Sequence, residues 1–399
     1  MNKRLDQLYP YPFEKLNVLL DDIVPPDGIE PVSLSLGEPK HRAPEFIINR
    51  FSDRETIARG FGTYPPTRGY LTLRQAIADF VNKRFNLTRK VNPDTEVLPV
   101  NGTREGLFAI AQTVIDGTNN SVTLIPNPFY QIYEGAAILA GSTPVYIPCT
   151  QNTGFNPDFS FVTDDQWQNC SLVYICNPGN PSGSVMSIPA LQSLIRKSDE
   201  YDFVIVSDEC YSEIYAAEAP PGLLEAASRM GRDDYRNCIT FNSLSKRSNL
   251  PGLRSGYVCG DAQILEKFLL YRTYHGSAMS AHNQWISELA WQDENHVVAN
   301  RRRYAEKYSS VLDILANVWP MQRPAAGFYL WPETPIADDE FARRLLAETN
   351  VEVLPGSFLS REVNGINPGR NRIRMALVAD LDQCVEAANR IRQFRLISR

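Results

Sequence analysis

The chain has 399 residues, 43% of them apolar and 22% charged, the composition of a globular protein able to bury a sizeable core. A formal net charge of -6 argues against nucleic acid as a general partner. No apolar run is long enough to cross a bilayer.

The N-terminus, Met1 to Asp6, begins basic, but Tyr9-Pro10-Tyr11-Pro12 follows where a secretory leader would need its apolar core, so none is expected. From about residue 97 to 260, short apolar runs alternate with helical stretches. Val122–Ile125, Leu172–Cys176, Phe203–Val206, Cys238–Phe241 and Gly256–Cys259 read as buried strands, with helices over Arg104–Ile115 and Ile188–Glu200. This is the rhythm of an α/β fold with a mainly parallel central sheet, helices on both faces, and ligands at the carboxyl ends of the strands. After Ala281 a long polar-apolar stretch runs to about Asn317, and its cluster Arg301-Arg302-Arg303 is expected on a solvated helix face. A strand over Gly327–Trp331, a helix near Asp338–Thr349, runs at Val351–Leu354 and Arg372–Leu377, and a helix over Leu381–Phe394 complete the pattern of a smaller α+β unit. The seven cysteines, Cys149, Cys170, Cys176, Cys210, Cys238, Cys259 and Cys384, show no C-x-x-C spacing. Free buried thiols in a reducing cytoplasm are expected. His41, His275, His282 and His296 show no metal-ligand spacing, and no metal is expected.

Five segments carry candidate chemistry. Thr240-Phe241-Asn242-Ser243-Leu244-Ser245-Lys246 sets a lysine among small hydroxyls at the end of a strand, with Arg254 eight residues on. That grouping suits an amine that forms a Schiff base with a phosphorylated aldehyde, although most lysines are solvated surface residues. Val206-Ser207-Asp208-Glu209-Cys210-Tyr211 ends a strand with an acid, able to keep a pyridine nitrogen protonated or simply to cap the next helix. Asn177-Pro178-Gly179-Asn180-Pro181-Ser182-Gly183 makes a rigid strand-end loop whose asparagine can donate to a ring oxygen. Val100-Asn101-Gly102-Thr103-Arg104 opens a helix on a Gly-Thr pair, which presents backbone N–H groups to an anion. Asn127-Pro128-Phe129-Tyr130 follows another strand and offers an aromatic ring, either to a flat cofactor or to the core.

In this order and spacing the segments resemble the fold-type I pyridoxal phosphate enzymes, and among them the class I/II aminotransferases, over nearly the whole chain. The resemblance implies a large cofactor-binding domain over residues 46–285, a small C-terminal domain over 286–399, and residues 1–45 as an N-terminal arm that also belongs to the small domain. It implies that Lys246 bonds the cofactor and shuttles the proton, and that Asp208 pairs with the ring nitrogen. Tyr211 and Asn180 would bond the phenolic oxygen, and Tyr130, or Phe129 in its place, would stack on the ring. Thr103, the Arg104 backbone, Ser243, Ser245 and Arg254 would hold the phosphate. Tyr64, in Gly62-Thr63-Tyr64-Pro65, would reach the phosphate of a neighbouring subunit, making the active unit a homodimer. Arg374, with Arg372 as its rival, would grip the substrate α-carboxylate. Gly37, in Ser35-Leu36-Gly37-Glu38-Pro39, would lie in a flexible loop beside the substrate. Ser182 replaces the family's usual threonine, and Arg104 stands where a smaller residue is common. An Arg104 side chain pointing inward would add a positive charge.

The finer resemblance is to the succinyldiaminopimelate aminotransferases of the bacterial lysine pathway. It rests on Leu8-Tyr9-Pro10-Tyr11-Pro12-Phe13-Glu14-Lys15-Leu16 and on Ser245-Lys246-Arg247-Ser248-Asn249-Leu250-Pro251-Gly252-Leu253-Arg254. The implied exchange is between N-succinyl-LL-2,6-diaminopimelate and 2-oxoglutarate. Lys40, Arg42 and Arg68 are candidates for the succinyl carboxylate, or exposed surface charges. The rivals are an aspartate, aromatic or alanine aminotransferase, a carbon–sulfur lyase of the same fold, and a cofactor-sensing regulator, for which no DNA-binding domain is expected ahead of Gly37.

Overall fold

The computed structural model describes residues 1–117 and 120–396. Its centre is a seven-stranded sheet, in spatial order Val97–Val100, Gly256–Gly260, Cys238–Ser243, Val204–Asp208, Cys170–Cys176, Val122–Asn127 and Thr143–Pro148. The last five of these are mutually parallel, and Gly256–Gly260 alone runs antiparallel to both of its neighbours. The sheet is buried on both faces, which is why its strands read as near-continuous apolar runs. Along Leu172–Ile175, Val173 and Ile175 enter one apolar cluster while Leu172 and Tyr174 enter the other, the period of two that a pleated strand requires. Each such fully buried aliphatic side chain contributes roughly 1.5–3 kcal/mol.

Two strands escaped the sequence pattern. Val97–Val100 and Thr143–Pro148 form the two edges, and each carries a proline that weakens a strand signal and is tolerated at an edge. The stretch after Ala281 is two helices, Ala281–Gln292 and Asn295–Leu315, separated at Asp293-Glu294. The arginine cluster is solvated only in part. Arg301 packs its guanidinium 3.8 Å from the centre of the Tyr215 ring and donates to the Glu213 carbonyl at 2.9 Å, because its face of the helix is turned inward.

A second apolar core is built from the C-terminal third together with Val32 and Leu34. It packs Leu345 and Ile391, from the helices Asp338–Thr349 and Leu381–Gln393, against Leu330 and Ile373 of a three-stranded antiparallel sheet. The strand expected over Gly327–Trp331 is limited to Tyr329–Leu330. The first residues do not all join this core. Val32–Ser33 pairs in parallel with Val351–Glu352, and Asp22 pairs with Arg343. The short helix Lys3–Gln7 instead packs on Ile132–Ala140, beside the large sheet. The arm therefore bridges the two cores. All seven cysteines are free thiols, and no described helix is long and apolar enough to cross a membrane.

Candidate active site

Parallel strands deliver their last residues to one edge of the sheet. Asp208 and Ser243 each close a strand, and Cys176 pairs in register with Asp208. Val97–Val100 points the same way, so Gly102 and Thr103 arrive at that edge as well. Gly256–Gly260 runs oppositely and begins there, which brings the preceding Arg254 to the same place. A cavity of about 580 Å³ lies over this edge, roofed by Tyr11, Phe13 and Gly37 from the N-terminal arm and by Tyr329, Leu359 and Arg374 from the C-terminal third.

Of the residues singled out in the sequence, Gly37, Thr103, Arg104, Tyr130, Asn180, Asp208, Tyr211, Ser243, Ser245, Lys246, Arg254 and Arg374 all line this cavity. Tyr64 does not; its side chain is fully exposed, away from the other site residues. Two alternatives separate cleanly. Phe129 is buried beneath the wall and stacks on Tyr146 at 5.5 Å, whereas Tyr130 faces the cavity. Arg372 points away, donating to the Trp331 carbonyl and the Gln151 side chain at 3.0 Å each, whereas Arg374 faces inward. None of the three proposed readers of a succinyl group reaches the cavity. Lys40 pairs with Glu38, Arg42 pairs with Glu45, and Arg68 donates to the Asp94 carbonyl. All three are exposed and lie on loops outside the cavity lining.

Lys246 sits on a four-residue helix, Leu244–Arg247, and its Nζ donates to the Gly37 carbonyl at 2.7 Å. Burial lowers its amine to about 8, since a charged ammonium loses hydration there. Asp208 is fully buried, and burial raises its carboxyl above the usual range. The carboxylate accepts from the Tyr133 hydroxyl at 2.8 Å and from the Cys210 N–H at 3.2 Å. A buried acid with only neutral donors calls for a cation on its open side.

The helix Thr103–Val114 starts at Gly102, whose φ is +78°; an added Cβ would stand 2.1 Å from the Arg254 guanidinium. Glycine is required both by that backbone angle and by the close crossing of the arginine. The free N–H groups of the first turn, the Thr103, Ser243 and Ser245 hydroxyls and Arg254 face one end of the cavity and could hold a phosphate. Gly37 is needed for a similar reason, since a Cβ there would lie 1.9 Å from the Tyr329 hydroxyl.

Arg374 donates to Asn180 Oδ1 at 3.2 Å and to the Ser35 carbonyl at 2.7 Å, and its buried Nε has no partner. Among the described residues no carboxylate lies within ion-pair distance of it. An unpaired, buried guanidinium facing a cavity suits a ligand carboxylate. The Tyr211 hydroxyl is 3.0 Å from that of Tyr329, and burial pushes the Tyr211 phenol well above its ordinary value, so it remains a neutral donor.

The sequence reading missed Tyr133, Tyr329, Tyr11 and Phe13. Tyr133 stands three residues after Tyr130, one helical turn on, and that spacing was the available signal. Tyr329 and the two arm residues reach the cavity only through tertiary packing.

The chain is also similar to known proteins. The family model for aminotransferase class I and II matches residues 29–391. The LL-diaminopimelate aminotransferase of Desulforudis audaxviator is 29% identical over 98% of this chain and 96% of its own. Among solved structures, an aminotransferase from Neisseria meningitidis superposes with a TM-score of 0.94 at 45% identity, covering 99% of this chain and 100% of that one. The aminotransferase AspB from Helicobacter pylori superposes with a TM-score of 0.89 at 32% identity, covering 97% of this chain and 99% of that one.

Proposed function

Because the chain belongs to the class I and II aminotransferases, a pyridoxal phosphate-dependent family, we propose that it transfers the amino group of N-succinyl-LL-2,6-diaminopimelate to 2-oxoglutarate in lysine biosynthesis. The products are the corresponding 6-keto acid and glutamate. One observation carries the chemistry: Lys246, Asp208 and Arg374 line a single cavity, and burial brings the lysine amine to about 8.

Bound pyridoxal phosphate supplies an aldehyde carbon for amine exchange and an electron-withdrawing ring. Lys246 would supply the amine that holds the aldehyde carbon, and its neutral amine would be the base for the proton at the substrate α-carbon. A lysine titrating near 8 has a useful neutral fraction at ordinary pH. Asp208 would keep a proton on the ring nitrogen, and Tyr133 and the Cys210 N–H fix its carboxylate for that task. Tyr211 and Asn180 would donate to the phenolic oxygen, and Tyr130 would stack on the ring. Thr103, the Arg104 backbone, Ser243, Ser245 and Arg254 would hold the phosphate. Arg374 grips the α-carboxylate of each substrate in turn, beside the Gly37 loop.

We place the enzyme in the cytoplasm as a homodimer, with Tyr64 of the partner subunit completing the phosphate cradle. The seven free thiols and the full exposure of Tyr64 support this assignment.

Free LL-diaminopimelate is the second reading, favoured by the name of the 29% identical relative from Desulforudis audaxviator. The two separate in one assay: glutamate formed from 2-oxoglutarate with either donor at equal concentration. A clear preference for the succinylated donor upholds the proposal. Preference for the free amino acid transfers the assignment to it, and activity with neither removes both.

A further inference from the structure

One histidine of the arm is tied to the catalytic lysine by a path that the chemistry above does not use. Lys246 lies on a helix of only four residues, Leu244–Arg247, too short to satisfy its own last carbonyls. Asn300, buried on the helix Asn295–Leu315, takes up two of them. Its Nδ2 donates to the Lys246 carbonyl at 3.2 Å and lies 3.4 Å from the Arg247 carbonyl. Only an amide nitrogen can face two carbonyls, so the Asn300 oxygen is turned the other way. There it accepts from Asn249 Nδ2 at 2.7 Å and from His41 Nδ1 at 2.9 Å. His41 must therefore carry its proton on Nδ1. Burial supports that neutral form, lowering the imidazole to about 4, and the ring rests on Tyr304 with centroids 4.7 Å apart.

The path closes on itself. His41 stands four residues after Gly37, whose carbonyl accepts from Lys246 Nζ at 2.7 Å. The segment from Gly37 to His41 thus meets the lysine at both ends, at the amine directly and at the backbone through Asn300. Once the amine leaves the Gly37 carbonyl to hold the cofactor, the backbone contact is the one that remains. The next two residues are held by the same helix junction. Arg247 donates to the Ala290 carbonyl at 2.6 Å, and the Ser248 hydroxyl is 2.8 Å from His296 Nε2. Loss of the Asn300 contact therefore changes the aim of Lys246 without releasing its helix.

We propose that Asn300 and His41 are positioning residues for Lys246. His41 holds the Asn300 amide by its oxygen, and the amide holds the backbone from which the lysine reaches the cavity. The assignment rests on the role given to Lys246 and extends it to two residues outside the cavity lining.

The test uses the whole chain as wild type, His41→Phe, His41→Asn, Asn300→Leu and the double variant of His41→Phe with Asn300→Leu. Phenylalanine keeps a ring on Tyr304 and loses the donor, whereas asparagine keeps a donor at the Nδ1 position and loses the ring. Two rates are read. One is capture of pyridoxal phosphate by the cofactor-free protein. The other is loss of the visible band when L-glutamate is added to the loaded protein, resolved into a maximal rate and a half-saturating concentration. His41→Phe should lower both rates roughly 10-fold and Asn300→Leu roughly 10- to 100-fold, with the half-saturating concentration within about threefold of wild type. His41→Asn should recover most of the loss. Because His41 acts through Asn300, adding His41→Phe to Asn300→Leu should cost less than about twofold more. Equal losses in His41→Phe and His41→Asn, or the same His41→Phe loss in both backgrounds, would overturn the inference. So would an effect confined to the half-saturating concentration or to the thermal midpoint. Should Asn300→Leu not fold, the two His41 variants decide the question by themselves. A wild type that never shows the visible band removes the role of Lys246 and this inference with it, whereas a failure among the variants alone leaves that role standing.

Discussion

The floor and the roof of the cavity are built by different means. The floor consists of strand ends and the turns beside them: Asp208, Ser243, Lys246 and Thr103 stand within a few residues of strands in one continuous sheet. The roof is gathered from separated parts of the chain, with Tyr11, Phe13 and Gly37 meeting Tyr329, Leu359 and Arg374 across 292 to 363 positions. Register in the sheet fixes the floor, since Cys176, Asp208 and Phe241 lie side by side. The roof depends on the arm bridging two cores. In the proposed function the floor would carry the amine and proton chemistry, and Arg374 in the roof would hold the α-carboxylate common to the substrates.

The sharpest way to break this comparison is at the floor. Lys246→Ala should lower turnover by roughly 10⁴-fold, the upper range for a lost positioned base, while the thermal unfolding midpoint stays near that of the wild type. Residual activity within about tenfold would remove the role given to this lysine. Asp208→Asn should cost about 10²- to 10³-fold in kcat, the scale of one lost electrostatic contact to the reacting system. An effect confined to KM would instead move Asp208 to the binding of substrate.

At the roof the losses should appear in binding. Arg374→Gln should raise KM roughly 10- to 100-fold for both amino and keto acids, because both carry the α-carboxylate. A selective effect on one substrate would place Arg374 at a side chain instead. The pH profile is a milder probe of the floor. Burial penalises the Lys246 ammonium, so the neutral amine predominates only above about 8. The rate at which the cofactor-free protein captures pyridoxal phosphate should therefore rise about tenfold from about pH 7 to about pH 9 and then level off. A rate still climbing past about pH 10 would mean an ordinary solvated lysine. The smallest effect is the control: Arg372→Gln, two residues from Arg374 but turned away from the cavity, should change KM by less than about twofold, the range of a surface contact.

Much of the floor was legible in the sequence because Asp208, Ser243 and Lys246 follow apolar runs that read as buried strands. The order of those runs implied one common edge. Lys246 with Arg254, and the doubled Asn-Pro loop around Asn180, carry their spacing on the surface of the sequence. The edge strands were not legible, since Pro99, Pro144 and Pro148 interrupt their patterns. Nor was most of the roof. Tyr11 and Tyr329 look like ordinary aromatic residues until the arm and the second core close over the sheet. The same reasoning accounts for the misplaced charges. Lys40, Arg42 and Arg68 were chosen for nearness in sequence to Gly37 and Tyr64, and nearness along an exposed loop does not fix where a long side chain points. Arg104, with its phenol partners in the arm and the wall, is where the inward charge stands.

The most direct test is the visible spectrum of the cofactor-loaded protein as N-succinyl-LL-diaminopimelate is added without any keto acid, with free LL-diaminopimelate run in parallel. The expected result is loss of the visible band of the lysine-held cofactor at far lower concentrations of the succinylated donor than of the free one. A band that neither compound changes, while glutamate still removes it, would contradict the assigned donor. A protein that takes up the cofactor but never shows that band would contradict the role of Lys246 and the account built on it.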